Sequence, residues 1–308
     1  MKTLTPSSRT SGQETKYRRL VEDAAKKAVN LVLSKAETDQ DGWQRILEHG
    51  DELCHSITEV IVDRTRELSL SDQFVDEEVE STWIYPKEYK GSKPIEEQIK
   101  ALALICDGKV DPSYALAFAK NLPDMKSFVP ADALEYTGWF AIMSPPTDPE
   151  KYCGAVQLLH GKIAASRRFY NYREGQIDKA HLRVHPRTVQ MTKLLAEQQQ
   201  GEILIIAAQL GLRHRGRSTR RAREVFVQNE FGLTSAMGCS IALTHPERFV
   251  RYEELDIDLP GDEFDPDGGA SFGRAPCLDC GGGEVRFGAE GVDRPSLCSG
   301  SASGFVPQ

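Results

Sequence analysis

The pattern of apolar and polar positions divides the chain into a helical first part and a mixed second part. Apolar side chains recur every three or four residues from Tyr17 to Val32 and again from Trp43 to Ile61, a period that predicts two amphipathic helices. Their apolar stripes face one another most simply as an antiparallel hairpin. Pro94 and the pair Asp111-Pro112 begin two further predicted helices, because proline is well tolerated at the first helical position.

The second part alternates strand and helix patterns. Glu202 to Ala208 is a continuous, isoleucine-rich run, which is typical of a strand buried on both faces. The other predicted strands cover residues 137–143, 240–243, 255–259 and 285–288, and the predicted helices cover residues 148–169, 186–199 and 218–229. The C-terminal stretch SGSASGFVPQ is expected to dock through Phe305 and Val306.

These elements predict an α+β fold with a helical N-terminal half and a mixed C-terminal domain containing a small sheet. We expect a flexible Ser/Thr-rich tail over residues 1–13, a helical domain over 14–125 and an α+β domain over 135–308. Within the helical part, Asp76 to Glu80 is acidic and non-periodic, which indicates a connector.

Composition narrows the class of protein. With 308 residues, 40% hydrophobic and 27% charged, the chain has ordinary globular composition, which excludes collagen-like and wholly disordered proteins. Its longest apolar stretch, Ile203 to Leu212, is about half of a bilayer span, so no membrane partner is expected. Seven cysteines, an odd number, are typical of a reducing compartment. We therefore expect a cytoplasmic protein.

Charge is segregated along the chain. The net charge is −8, yet residues 160–223 hold 14 basic and 4 acidic side chains. Six of the eleven residues from 213 to 223, here called the arginine segment, are arginine. The segment begins in the loop after the buried strand and continues into a helix capped by Ser218. A loop that leads into a helix in this way presents backbone N–H groups to an anion.

The leading hypothesis is that the arginine segment binds a phosphate-bearing ligand, preferably RNA or single-stranded DNA. Arginines would contact phosphates and aromatic rings would stack on bases. The predicted ligand-binding residues are Arg213, Arg215, Gly216, Arg217, Ser218, Arg220, Arg221, Tyr170, Tyr172 and Arg173.

Two alternatives to nucleic-acid binding remain open. The first is an enzyme acting on a nucleotide or phosphorylated small molecule, with His214 or His185 as the acid–base group and Asp256 or Asp258 as a magnesium ligand. The second is a protein–protein interaction module whose N-terminal helices pair with a second copy or another protein. In that case the arginines would neutralise the chain's own acids, for which the run from Glu253 to Asp267 is the expected source.

No cofactor is predicted, although two cysteines have the spacing of half a zinc site. Cys277 and Cys280 are separated by two residues, and Cys298 is a candidate third ligand. A structural zinc site requires four ligands, and no histidine follows His245. The simpler interpretation is a turn with two free thiols.

Four stretches, RHRGRSTRRARE, NEFGLT, THPERF and SASGFVPQ, resemble uncharacterised bacterial hypothetical proteins. The resemblance covers most of the C-terminal two thirds and implies no activity, cofactor or site.

Overall fold

The computed structural model describes residues 11–35, 38–69 and 72–307. The chain divides into two compact units, Met1–Leu70 and Ser71–Gln308. The sequence predicted a helical domain over 14–125, but helices at 95–105 and 113–118 pack against a sheet of the second unit. The helical unit is therefore shorter than predicted. Most of the predicted tail lies outside the described residues, and residues 11–13 begin a helix.

Within residues 11–35 and 38–69, unit 1 contains three helices: α1 (Ser11–Lys35), α2 (Gln40–Glu48) and α3 (Gly50–Ser69). The second predicted helix breaks in two at His49, and its first half is capped by Asp39, which accepts a hydrogen bond from Gly42 N at 2.7 Å. α1 and α3 run antiparallel, and Tyr17 Oη and Thr65 Oγ1 share a hydrogen bond of 2.6 Å. The predicted hairpin of amphipathic helices is present.

The described part of unit 2, residues 72–307, contains seven α-helices and two sheets. The helices are α4 (Ile95–Ile105), α5 (Ser113–Phe118), α6 (Ala131–Leu134), α7 (Pro149–Ser166), α8 (Pro186–Gln198), α9 (Thr219–Val225) and α10 (Ser235–Thr244). The strands are β1 (Gly138–Met143), β2 (Phe169–Asn171), β3 (Leu182–Val184), β4 (Ile203–Gln209), β5 (Glu230–Gly232), β6 (Asp256–Asp258), β7 (Asp262–Phe264), β8 (Arg274–Gly281), β9 (Glu284–Gly291), β10 (Ser299–Ser301) and β11 (Ser303–Phe305). The predicted α+β fold is confirmed.

The smaller sheet is antiparallel, with strand order β1-β4-β11-β5. The larger sheet is mixed and is built around β8, which pairs with β9 along one edge and with β6 and β7 along the other. β2 and β10 add parallel pairs at its margins, and β3 pairs with β7. The strands β6, β7 and β9 are therefore held together by their shared pairing with β8.

β4 is buried on both faces, as its continuous apolar run predicted. Leu204 and Ile206 point into the main core with α7, α10 and the larger sheet, whereas Ile203 and Ile205 point toward α4 and α5. The successive layers are therefore helices, the small sheet, helices and the large sheet. Phe305 and Val306 are buried beside β4, and Phe305 pairs with Ala207 in the small sheet.

The predicted strand at 240–243 is instead part of helix α10. Thr234 caps this helix by accepting a hydrogen bond from Met237 N at 3.3 Å, and nearly all of its residues are buried. A helix surrounded by core on all sides is apolar all round and has no 3.6-residue period. For this reason the short apolar run at residues 240–243 was wrongly predicted to be a strand.

Candidate functional site

Two glycines and a serine cap shape the arginine segment. Gly211 has a φ of 111° and leads into a single 3₁₀ turn over residues 212–214. Gly216 has a φ of 76°, and a Cβ there would lie 2.1 Å from the carbonyl oxygen of Val79. Ser218 Oγ then accepts a hydrogen bond from Arg221 N at 3.1 Å and caps α9. The segment therefore has the predicted order of strand, loop and helix.

The start of the segment is bound to a buried carboxylate on β5. Glu230 Oε2 accepts from Arg213 Nη1 and from Val227 N, both at 3.1 Å, and Oε1 accepts from Ser303 Oγ at 2.6 Å. His214 Nε2 lies 2.8 Å from Oε1. Burial would raise the pKa of Glu230, but the hydrogen bond from His214, the charge of Arg213 and the hydrogen bond from Ser303 outweigh it and lower the pKa. This carboxylate is ionised at neutral pH.

His214 is fixed in one tautomer by its two neighbours. Arg217 Nη1 lies 3.1 Å from His214 Nδ1, and arginine can only donate. Nδ1 is therefore the acceptor, and the ring proton lies on Nε2, facing Glu230. Burial lowers the pKa of His214 more than Glu230 raises it, so the ring is neutral and both of its nitrogens are occupied.

The later part of the segment is bound to an acidic stretch, residues 72–80, here called the strap. Glu77 accepts hydrogen bonds from Arg220 Nε at 2.8 Å through both carboxylate oxygens, and from Ser218 Oγ at 2.6 Å. Arg220 Nη2 also donates to Glu77. The hydrogen bond from Arg220 is the main reason that the pKa of Glu77 lies below its usual range.

Glu78 joins two further arginines. Its Oε1 accepts from Arg221 Nε at 2.6 Å, and its Oε2 lies 3.3 Å from Arg217 Nε. Partial burial would raise the pKa of Glu78, but the two arginines lower it. Arg221 Nη1 also donates to Glu224 at 2.9 Å and lies 3.9 Å from Asp72 Oδ1, so Arg221 pairs with three carboxylates.

Backbone hydrogen bonds align the strap with the segment. Val79 N donates to Gly216 O at 2.8 Å, and Ser218 N donates to Glu77 O at 3.0 Å. Glu78 and Arg217 form an isolated antiparallel bridge. The close approach at Gly216 is the reason that this position has no side chain.

The arginines are thus paired within the chain, but not with the acids that the sequence suggested. Of the run from Glu253 to Asp267, main-chain carbonyls of Pro260 and Asp262 accept from Arg223 at 2.9 and 2.7 Å. The carboxylate of Asp262 instead accepts from Tyr152 Oη at 2.5 Å. The acidity of the strap is visible in the sequence, but its contact with the distant arginine segment is not.

Arg215 is the exposed arginine of the segment. Its Nη1 donates to the carbonyl oxygen of Trp83 at 3.1 Å. Arg213 and Arg221, by contrast, each have side chains only 9% exposed. The side chains of Arg220 and Arg217 lie between these extremes, at 38% and 29% exposed.

The aromatic candidates lie on a different sheet. Tyr170 and Tyr172 are exposed, and their rings meet edge to face at 4.7 Å on and just after β2. Arg173 donates to the carbonyl oxygen of Ala289 at 3.0 Å. These residues follow the edge of the larger sheet, whereas the arginine segment follows β4 of the smaller one.

The proposed acid–base and magnesium candidates are also separated. His185 caps α8, and burial together with nearby arginines lowers its pKa to about 3. Burial raises the pKa of Asp256 to about 8, helped by Asp279 and Asp258, and raises that of Asp258 to about 6. Both aspartates lie on β6. In the part of the chain that the structure describes, no three His, Cys, Asp or Glu side chains are arranged to hold a metal ion.

The cysteine pair does not form a chelating turn. Cys277 and Cys280 lie on β8, and residues three apart on a strand point to opposite faces. Cys280 packs in the main core with Leu278, whereas Cys277 lies on the other face. The two thiols therefore cannot bind one ion together. Cys298 contacts Ser296 Oγ through its Sγ at 3.2 Å.

Two cavities in unit 2 also lie away from the arginine segment. They have volumes of about 320 and 470 Å³ and share the loop after β1, including Ser144 and Pro146. Neither is lined by a histidine or by a residue of the segment. They give no support to an active site beside the arginines.

An open, apolar groove lies in unit 1, between α1 and α3. This groove has a volume of about 700 Å³, and none of its lining residues is charged. It is lined by Tyr17, Leu20, Val21, Ala24, Ala25, Ala28, Ser56, Ile57, Val60, Ile61 and Thr65. None of the 25 residues of α1 is buried, and Leu20 is 68% exposed. The apolar stripe recognised in the sequence therefore has little cover within its own unit.

Comparison with known proteins gives no family for this chain. No family model, no curated protein and no solved structure matches it. Among the described helices, none is long and apolar enough to cross a membrane.

Proposed function

We propose that the chain is a protein–protein interaction module that self-associates through unit 1, with a second copy covering the groove between α1 and α3. The observation that carries this proposal is the groove itself, which is open, apolar and free of charged lining residues. Exposed apolar surface that is contiguous and rimmed by charge is characteristic of interaction sites.

The dimensions of the helices suit a paired assembly. α1 has 25 residues and α3 has 20, so each is at least about 30 Å long. Two such hairpins packed together form a four-helix bundle, whose core consists of stripes like those of α1 and α3. A stable interface buries roughly 1,200–2,000 Å² in total, an area that helices of this length can supply.

Charge complementarity favours a second copy as the occupant. α1 carries six basic and three acidic residues, whereas α3 carries two basic and five acidic residues. In a bundle of two copies, the opposite net charges of the two helix sequences, +3 and −3, favour an arrangement that places α1 of one copy beside α3 of the other. Complementary potentials of this kind steer association and fix the register of the partners.

The internal pairing of the arginines is consistent with this function. Glu77, Glu78 and Glu230 occupy guanidinium groups that an external anion would otherwise contact. Binding of a nucleic acid or phosphorylated small molecule by the arginine segment stays a prediction, and it requires the strap to leave.

Groove variants test the proposal. We expect Leu20→Glu/Ile57→Glu, which places two charges in the groove, to shift the protein from dimer to monomer in sedimentation velocity. The matched control is Leu33→Glu/Leu47→Glu, because these leucines are also exposed but do not line the groove. It should sediment as the wild type does.

Either of two results would count against the proposal. One is a wild-type protein that stays monomeric at all concentrations, which would leave the groove to a different protein. The other is a dimer that survives the groove substitutions. Circular dichroism must show equal helix content in both variants, so that loss of the dimer is not loss of the fold.

A further inference from the structure

The donors around Glu77 are those that proteins use to bind phosphate. An arginine fork and a serine hydroxyl meet on one carboxylate, with Arg220 Nε at 2.8 Å from both oxygens and Ser218 Oγ at 2.6 Å. Guanidinium groups match phosphate geometry as well as carboxylate geometry. The neighbouring Glu78 is bound by two more arginines, Arg217 and Arg221.

The strap neutralises three arginines of the segment, Arg217, Arg220 and Arg221. Residues 72–80 contain five acidic and no basic side chains, and the segment contains six arginines. Without the strap, Arg217 and Arg220 would lose the carboxylates that they contact, beside the already exposed Arg215. A strongly positive surface would then replace a nearly neutral one.

The strap is held mainly by polar contacts. Most of its residues are exposed, and each of its ion pairs keeps at least one partner partly open to solvent: Arg220 is 38%, Glu78 34% and Arg217 29% exposed, against 12% for Glu77 and 9% for Arg221. Such pairs contribute little to stability because water and salt screen them. Phe74 adds one ring contact, with the Arg220 guanidinium 4.4 Å from its centroid. An anion of high charge density can therefore compete for these arginines.

We propose that the arginine segment is a masked site for a phosphodiester chain, and that the strap occupies it as an internal substitute. Glu77 and Glu78 take the places of phosphate groups. A nucleic acid displaces the strap because it brings many charges and releases condensed counterions on binding. An isolated phosphate or a short acidic peptide lacks that advantage against a strap whose effective concentration is in the millimolar range.

Unmasking variants test this inference. Binding of a fluorescein-labelled 20-nucleotide oligouridylate is measured by anisotropy at low salt for the wild type and for Glu77→Gln/Glu78→Gln. We expect the variant to bind at least about tenfold more tightly, since a site that is mostly occupied by its own strap has reduced apparent affinity. Its log–log salt dependence should have a slope of roughly −0.7 for each phosphate contacted.

Two controls separate unmasking from a general change of charge. Glu96→Gln/Glu253→Gln removes two exposed carboxylates outside the strap and should bind as the wild type does. Adding Arg217→Ala/Arg220→Ala to the unmasked variant should abolish the gain. Parallel titrations with ATP, inorganic phosphate and a polyglutamate peptide should each show much weaker binding than the oligonucleotide.

Four outcomes would overturn the inference. The first two are an unmasked variant that binds the oligonucleotide no more tightly than the wild type, and a carboxylate control that shows the same gain in affinity. The others are a gain in affinity that survives the loss of the two arginines, and polyglutamate that binds as tightly as the oligonucleotide. If the unmasked variant fails to fold, hydrogen exchange of the wild type decides. Saturating oligonucleotide should then speed exchange at the amide of Val79, which is hydrogen-bonded to Gly216, and unchanged exchange would refute displacement. Because the oligonucleotide is bound by unit 2, these results are independent of whether the protein dimerises.

Discussion

Arg220 donates through Nε to both carboxylate oxygens of Glu77, at 2.8 Å each, across 143 positions of sequence. This contact joins the strap to the first turn of α9. Because Glu78 joins Arg217 and Arg221 in the same way, the strap and the arginine segment form one structure. The basic cluster that dominates the sequence is therefore largely neutralised in the fold.

Replacing Glu230 by glutamine should be strongly destabilising. Glu230 is fully buried and paired with Arg213 and His214, so the substitution removes the buried counter-charge of Arg213 and leaves it only the exposed carboxylate of Asp132, 3.2 Å away. We expect a loss of about 2–4 kcal/mol in the free energy of unfolding, measured by urea denaturation. Glu77→Gln is the comparison, because the pair of Glu77 with Arg220 is partly exposed. It should lower the free energy of unfolding by less than about 1 kcal/mol. Equal losses would show that burial does not govern these pairs.

His160 should make stability depend on pH in a defined window. Burial between Phe169 and Phe287 lowers the pKa of His160 from 6.5 to about 4. Between these values the unfolded chain binds a proton that the folded chain excludes, so stability is lost as the pH falls from 6.5 toward 4. His160→Phe removes this loss.

Below pH 6.5, the free energy of unfolding of His160→Phe should therefore rise relative to that of the wild type, by up to about 1.4 kcal/mol per pH unit. Urea midpoints at pH 5, 6, 7 and 8, at one fixed chain concentration, provide the measurement. Above pH 7 the difference between the two proteins should be constant. A difference that does not change with pH would mean that His160 is not neutral in the fold.

Gly216→Ala should disrupt the junction between strap and segment. Its φ is 76°, and a Cβ would lie 2.1 Å from the Val79 carbonyl oxygen, so the substitution combines backbone strain with a clash. Gly283→Ala is the matched control, since its φ is 77° and nothing lies within 4 Å of a Cβ. We expect the control to lower the free energy of unfolding by about 1 kcal/mol. Gly216→Ala should lower it clearly more and should speed proteolysis of residues 72–80. Equal effects would indicate that the strap does not pack closely there.

The sequence predicted those elements whose periodicity is set by one buried face. The amphipathic stripe of α1 and the apolar run of β4 fall where expected. α10 was mistaken for a strand because a fully buried helix has no polar face to reveal its period. The short strands β3, β5 and β7 were missed because three residues carry too little pattern, and distant partners define them.

The candidate site shows the same limit. Six arginines in eleven residues and five acids in nine are both visible in the sequence, and internal pairing was one of the alternatives. The acidic run after Glu253 is nearer in sequence and was the expected partner of the arginines. In the fold, β-sheet pairing and α10 direct Asp262 toward Tyr152 instead. Which acids meet which arginines is decided by tertiary structure, and local pattern does not contain that information.

Sedimentation equilibrium of the wild-type chain tests the central claim of self-association most directly. One chain has a mass of 34.3 kDa. At micromolar to tens-of-micromolar concentration we expect a mass of twice that value, reduced toward one chain by Leu20→Glu/Ile57→Glu. A mass of one chain for the wild type across this range would contradict the account.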